Sequence, residues 1–308
     1  MEKIIEAYSK EIIKEELKKT RLLKESRYGN QNIYEFNYKD SEILMNEVGR
    51  LREITFRHAG GGTGKSVDID YYDTCEKPFS QLIIWSNSEE EIIGGYRYIL
   101  GKDIEIKDND LKSPTGEIFQ FTDDFYKDIT PYMIELGRSF VIPEYQATEA
   151  QRKSIFVLEN LWIGLGAIVL QNPWLKYYFG KFTMYTNYDV FARDLLLNFL
   201  DVYFPSKNNY GKPKESIEYK YEKKDLQLDF TWNNYQDDYK KLIHHLKDRN
   251  SPIPPLVNSY MNLTSTMQTF GTAVNPHFGD VEETAILMTI RDIIPAKLER
   301  YGLSELIG

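Results

Sequence analysis

The stretch Arg57–Ser66, RHAGGGTGKS, decides between two architectures. Taken as Ala59-x-x-x-x-Gly64-Lys65-Ser66, it satisfies a permissive phosphate-binding P-loop pattern, the mark of a strand-loop-helix unit. A working P-loop follows a strand and opens a helix, because the helix N-terminus supplies the positive dipole end that meets the phosphates. Here the order is reversed. Before the loop, SEILMNEVGRLREITFRHA (Ser41–Ala59) sets Leu44, Val48, Leu51 and Ile54 on one helical face, with Asp40 or Ser41 as N-cap. After it, VDIDYYDTCEKPF is acidic, strand-like and interrupted by Pro78, and no apolar strand ending in a magnesium-binding Asp stands out downstream. The loop reads as a flexible glycine-rich connection, and nucleotide binding is set aside.

Outward from the loop, the pattern is mixed. Toward the N-terminus, a charged amphipathic helix is expected to about Lys24, forming a helical arm over residues 1–27, then a strand at NIYEFNY. Toward the C-terminus, QLIIWSN and EIIGGYRYILG form a β-hairpin joined by SEEE, and YMIELGRSFVI is a strand stopped by Pro143. A helix is expected from about Thr148 to Val169, then a strand at KYYFGKFTMY and a helix at DVFARDLLLNFLDVYF. Residues 206–230, Lys-rich and polar, read as a surface excursion. Helices at YQDDYKKLIHHLKD and LVNSYMNL, a strand at ETAILMTI and a terminal helix complete the chain. Hairpins mixed with strand-helix-strand passages predict an α/β fold of the α+β kind: one globular unit over 1–308 with a central sheet covered by helices, not a strictly alternating doubly wound sheet.

Composition sets the limits. With 38 basic and 47 acidic residues the net charge is −9, which argues against a nucleic-acid partner. Cys75 is the sole cysteine, so no intramolecular disulfide or thiolate cluster can form, and a reducing cytoplasmic setting is expected. The most apolar run, LWIGLGAIVL, is shorter than the roughly 20 residues of a membrane span and reads as a buried helix. Four histidines without metal-ligand spacing predict no metal site, and no serine lies in a G-x-S-x-G elbow.

What remains is a set of charges inside apolar surroundings: Arg52 and Arg57 before the loop, Asp68, Asp70 and Asp73 after it, Arg97 in the hairpin, and Glu135 and Arg138 in YMIELGRSFVI. Such charges are costly unless paired, so one reading is a structural Arg–Asp/Glu network. The other is a cleft where a carboxylate serves as general base and arginines hold an anionic ligand. Strand alternation sends Glu135 and Arg138 to opposite faces unless a bulge intervenes.

The series Arg52-x-x-x-Phe56, Asp70-x-x-Asp73, Arg97 and Glu135-x-x-Arg138 resembles the signature of acyl-homoserine-lactone synthases, acyl-transferring enzymes of the GNAT fold. A fuller likeness runs through ELGRSFVIPEYQ, LENLWIGLGA, YYFGKFTMY, IPPLVNSYMNL and GTAVNPHFGDVEETAILMTI, which resemble the bacterial hemolysin-like family that includes the ornithine-lipid and glycine-lipid N-acyltransferases. The last motif favours the glycine-lipid branch. The resemblance implies a GNAT-like fold with a mostly antiparallel central sheet and N- and C-terminal extensions. It further implies a 3-hydroxyacyl group passing from acyl carrier protein to the α-amine of glycine or ornithine in aminolipid synthesis, with peripheral contact at the inner membrane.

Two departures sharpen it. QATEAQRKS lacks the glycines of a coenzyme-A pyrophosphate loop, so the donor expected is the acyl-phosphopantetheine of a carrier protein in preference to acyl-CoA, with no cofactor bound. The synthases' tryptophan between the Arg/Phe and Asp pairs is replaced by the glycine loop, so a lactone is not the expected product. On this reading Glu135, or a water it holds, is the base, Arg138 and Arg97 orient it or the substrate carboxylate, amides near Phe140 and Val141 receive the oxyanion, and Ser139 lies at the acyl-binding site. Asp70 and Asp73 pair with Arg52, Arg57 or Arg97, Phe56 lies with them at the acyl site, Tyr185 and Tyr188 are candidate acids, and Lys65 faces the acidic carrier. The competing reading, suggested by the hemolysin likeness, is a membrane-active protein without transferase activity. It needs an exposed amphipathic anchor, whereas the N-terminal helix mixes Lys and Glu evenly.

Overall fold

A computed structural model describes residues 1–26, 29–146 and 151–306, with only the backbone for 151–155. The chain runs α1 (Lys10–Leu17), β1 (Arg21–Glu25), β2 (Gln31–Phe36), α2 (Glu42–Ala59), α3 (Tyr71–Thr74), β3 (Ser80–Ser86) and β4 (Glu91–Leu100). It continues with β5 (Ile106–Lys107), β6 (Asp110–Leu111), β7 (Phe119–Phe121), α4 (Asp123–Asp128), β8 (Met133–Val141), α5 (Gln151–Gln171), β9 (Tyr177–Met184) and α6 (Val190–Tyr203). The last third holds β10 (Gly211–Pro213), α7 (Tyr235–Asp248), α8 (Pro255–Met261), β11 (Gln268–Asn275), β12 (Val281–Thr289) and α9 (Pro295–Arg300).

Among the described residues, eight strands form one sheet in the order β1-β2-β3-β4-β8-β9-β12-β11. Every neighbouring pair is antiparallel except β8 and β9. That pair matters most. Their parallel pairing covers only Met133–Leu136 against Tyr177–Gly180, and beyond it the strands part. The predicted mostly antiparallel sheet flanked by helices is the fold observed.

The glycine loop follows a helix, as its sequence setting requires. Ser41, not Asp40, caps α2 by accepting the Leu44 amide at 3.1 Å, and Gly60 ends the helix at φ +97°, a left-handed conformation that glycine adopts without steric cost. Two expectations fail. The N-terminal helix stops at Leu17, and Arg21–Glu25 pairs with β2 as the sheet's edge strand, so residues 1–27 are not a helical arm. The acidic segment after the loop holds no strand but the single turn α3. Residues 206–230 lie mostly at the surface, as expected, but are tethered there: β10 pairs with β7, Leu226 is fully buried, and Asp194 of α6 accepts the Lys220 and Tyr221 amides at 2.7 and 3.0 Å. Sequence reading also missed β11, interrupted by Gly271 at φ +85° and a register shift. LWIGLGAIVL lies within the buried α5, as expected. The predicted helix start at Thr148 lies outside the described residues.

Candidate active site

Where β8 and β9 part, a cavity of about 360 Å³ opens. A bulge shapes it. In the β4–β8 ladder Gly95 faces Phe140 and Arg97 faces Gly137, so β8 spends three steps where β4 spends two. Arg138 takes the strain, with φ +48°. The bulge breaks strand alternation and brings Glu135 and Arg138 to the same cavity, whose wall also includes Arg97, Ser139, Phe140 and Val141.

Glu135 is 1% exposed. Its Oε1 accepts the Thr115 amide at 3.1 Å, while Oε2 has no hydrogen-bond partner among the described residues. Burial pushes its carboxyl above the usual range, opposed by hydrogen bonding from Thr115 and Ser113 and by the charge of Lys181. A carboxyl with one anchored oxygen and one unused oxygen on a cavity wall has the form of a general base.

Arg138 projects from the bulge with its guanidinium carbon 4.1 Å from the Phe278 ring centre. Its Nε donates to Asp68 Oδ1 at 3.1 Å and pairs in charge with Oδ2 at 2.8 Å, and Nη2 lies 3.7 Å from Asp70. The terminal N–H groups make no hydrogen bond among the described residues, so a two-pronged donor remains for an anion in the cavity. Arg97 differs: its Nη1 is shared by Asp70 at 2.8 Å and Asp73 at 3.0 Å.

Asp70-x-x-Asp73 is a capping box. Asp70 accepts the Tyr72 amide at 2.9 Å, and Asp73 reaches back to the Asp70 amide at 3.2 Å. That turn aims Asp73 at Arg52, 3.1 Å away, and at Arg97, with Gln81 completing the cluster at 3.2 Å. Burial alone would raise the Asp73 carboxyl, but the two guanidiniums outweigh it and hold it below the ordinary carboxylate range. Arg52 is thus a fully buried structural partner away from the cavity wall. Phe56 does line the cavity, edge-on to Phe278 with ring centres 5.0 Å apart.

Arg57 is not at the site. It pairs with Glu53 at 2.7 Å and holds the backbone carbonyls of Glu2 and Lys65, so it ties down the glycine loop instead of meeting Asp70 or Asp73. Nor is that loop free. The buried Glu53 carboxylate accepts the amides of Thr63 and Gly64 at 3.0 and 2.7 Å and the Thr63 hydroxyl at 2.7 Å. Amides that would cradle a phosphate in a P-loop here cradle a carboxylate of the protein's own, and a second anion would meet repulsion. Lys65 itself is exposed.

The oxyanion candidates also separate. Ile142 donates to Ile93 at 3.1 Å, and in the antiparallel ladder that continues through Val141–Gly94 and Phe140–Gly95, hydrogen-bonded pairs alternate with non-bonded ones. Phe140 therefore gives its amide to β4. Val141 points its amide away from β4, toward the opening between β8 and β9. Of the two tyrosines, Tyr185 lines the cavity, its hydroxyl pushed up to about 12 by burial and the nearby Glu283 charge. Tyr188 instead donates to the Ser251 carbonyl at 2.8 Å.

Sequence reading missed Lys181 and Glu283, which face each other at 2.8 Å across β9 and β12 on the cavity wall. Asn275 also donates to Glu283 at 2.8 Å. Burial works against the Glu283 charge, but Lys181 and Asn275 hold its carboxyl below the usual range. The signal was present in YYFGKFTMY: a lysine inside an apolar strand, the same oddity that drew attention to Arg97 and Glu135.

A family model described as an acetyltransferase (GNAT) domain matches residues 51–154, a span that takes in the C-terminal half of α2, the Asp70/Asp73 turn, β4 and the bulged β8. A glycine N(alpha)-acyltransferase of Phocaeicola vulgatus is 46% identical over 302 residues, covering 98% of this chain and 93% of its own. Another protein of that name, from Bacteroides thetaiotaomicron, is 45% identical over 304 residues, 98% of this chain and 90% of its own. Among solved structures, the acyl-homoserine-lactone synthase LasI has a TM-score of 0.43 at 11% identity, covering 89% of this chain and 96% of that one. The CoA-dependent synthase BjaI, with SAM and isopentyl-CoA, has a TM-score of 0.38 at 10% identity, covering 87% and 88%. By its identity to two glycine N(alpha)-acyltransferases over nearly the full length of each, the chain belongs to their family and is a GNAT-type acyltransferase that moves an acyl group to an amine.

Proposed function

We propose that the chain acylates the α-amine of glycine with a 3-hydroxyacyl group carried as a phosphopantetheine thioester on acyl carrier protein. The observation that carries this reading is the unpartnered, buried Oε2 of Glu135 on the wall of the cavity between β8 and β9. The thioester lies in that opening with its carbonyl oxygen toward the Val141 amide. Glycine enters beside it, its carboxylate on the unused fork of Arg138. Arg97, engaged by Asp70 and Asp73, stays out of substrate binding.

Glu135 takes a proton from the amine as nitrogen attacks the thioester carbon. A C–N bond forms, negative charge develops on the carbonyl oxygen where Val141 N–H meets it, and the C–S bond then breaks to release the pantetheine thiolate. Glycine is preferred to ornithine as acceptor because both long relatives carry glycine in their names. A carrier protein is preferred to coenzyme A because residues 146–154 contain no glycine to wrap a pyrophosphate. The product, an N-acyl glycine, is amphiphilic, which suits release at the inner membrane by peripheral contact and a later esterification by a second acyltransferase.

The test is Glu135→Gln, assayed for transfer from 3-hydroxyacyl carrier protein to glycine. Loss of a general base costs on the order of 100-fold or more in kcat, with the fold intact by circular dichroism. Undiminished turnover in the folded variant removes Glu135 from the chemistry.

A further inference from the structure

Lys181 stands out among cavity groups that the mechanism leaves idle. It follows Gly180, the last β9 residue paired with β8, so its side chain springs from the point where the strands part. Its Nζ donates to the Pro114 carbonyl at 2.7 Å and pairs with Glu283 at 2.8 Å. Pro114 is the immediate neighbour of Thr115, whose amide holds Oε1 of Glu135 at 3.1 Å. We infer that Lys181 is a positioning residue for Glu135: it pins the 114–115 backbone that grips the base, and it sets a fixed positive charge on the same cavity wall. This rests on Glu135 being the base.

The charged and titratable surroundings of Glu135 are few. Lys181 comes from β9, with Glu283 of β12 behind it; Arg97 of β4, Arg138 of β8 and Tyr185 just beyond β9 face the same cavity; Tyr72 of α3 lies within reach of the charges of Glu135 and Glu117. Arg97 and Arg138 are engaged by Asp68, Asp70 and Asp73; Lys181, although it also pairs with Glu283, is the cation whose charge weighs on Glu135, in the direction of the carboxylate. Burial alone would leave Glu135 protonated over more of the pH range and unable to accept a proton. The lysine thus extends the working range of the base downward.

Replacing Lys181 by Met removes the charge and the Pro114 bond, and replacing it by Arg keeps the charge. The acid limb of kcat, at saturating glycine and acyl carrier protein, is expected to move up by roughly one pH unit in Lys181→Met, the low end of the about 1–3 units a nearby opposite charge provides, because Glu283 shares the lysine. It stays within a few tenths of the wild type in Lys181→Arg. Titration of the Glu135 side-chain carboxyl by carbon NMR, assigned with Glu135→Gln, shows the same displacement without substrate. Should Lys181→Met unfold because Glu283 is left unpaired, Lys181→Met/Glu283→Gln provides a neutral replacement for both, and its limb also moves up. An unmoved limb and titration in either folded Met variant, or equal displacement in Met and Arg, overturns the inference. An acid limb that survives unchanged in Glu135→Gln instead overturns the assignment of Glu135 as base.

Discussion

Glu53→Gln tests why RHAGGGTGKS is a braced loop and not a phosphate cradle. The carboxylate holds four donors: Arg57 Nε and the Gly64 amide on Oε1, at 2.7 Å each, and the Thr63 amide and hydroxyl on Oε2, at 3.0 and 2.7 Å. A glutamine keeps one acceptor oxygen. If that oxygen stays with Arg57 and Gly64, the Thr63 hydroxyl can rotate to accept from the new NH2, but the Thr63 amide then faces another donor. One buried bond to a charged group is lost, worth about 1.5–3 kcal/mol, and two charge-assisted bonds weaken to neutral ones at roughly 1 kcal/mol each. The expected loss is about 3–5 kcal/mol, or two to four powers of ten in the unfolding equilibrium.

The pH dependence has a definite sign. Burial tends to raise the Glu53 carboxyl, but its bonds from Arg57, Thr63 and Gly64 outweigh that and hold it below its ordinary value. A depressed folded-state pKa stabilises above the unfolded value, about 4.3, and that contribution fades as pH falls through the folded value. The gap between wild type and Glu53→Gln is therefore largest near neutral pH and narrows in acid below about pH 4. Urea denaturation at several pH values measures it, and amide hydrogen exchange at Thr63 and Gly64 reports the loop directly. A destabilisation under about 1 kcal/mol at pH 7, with exchange at both amides unchanged, refutes the reasoning.

Asp73→Asn leaves Arg52 and Arg97 buried without the charge between them, and a cost of about 3–5 kcal/mol is expected by denaturant titration, against under 1 kcal/mol if the cluster is dispensable. Leu226→Ala probes the 206–230 segment. A packed role predicts a loss of about 2–5 kcal/mol, whereas a loose surface loop predicts a change within about 0.5 kcal/mol.

The legible parts of the sequence were those where one periodicity was uninterrupted. Helix α2, the β3–β4 hairpin, β9 and β12 each carry an apolar rhythm that a single charge such as Arg97 or Lys181 does not disguise. Edge strand β1 was hidden because RLLKE is mostly exposed and continues the charged rhythm of the helix before it. Strand β11 was hidden by a glycine and a register shift. At the site, Glu135 and Arg138 were visible as charges in an apolar strand, but the bulge that puts them on one wall is a backbone event without a reliable local signal. Lys181 showed the same sign and passed unread, because only a fold places β9 beside β8.

The proposed chemistry falls here because the other charges around the cavity are held in pairs. Arg52 and Arg97 share Asp73, Arg97 also holds Asp70, Lys181 holds Glu283, and Glu53 is consumed by the loop. Such closed pairs contribute little net stability when solvated but are costly to break when buried, so each fixes its backbone in one arrangement. They brace the site without competing for substrate. The bulge on β8 is the exception to this closure: its strained backbone carries the Arg138 fork with unused donors, and it stands three residues from the outward Val141 amide on one side and three from the Glu135 carboxyl, with its unpartnered oxygen, on the other. On the proposed mechanism, the amine that must lose a proton, the carbonyl that gains charge and the carboxylate that needs an anchor would each find one such group, all on a single strand.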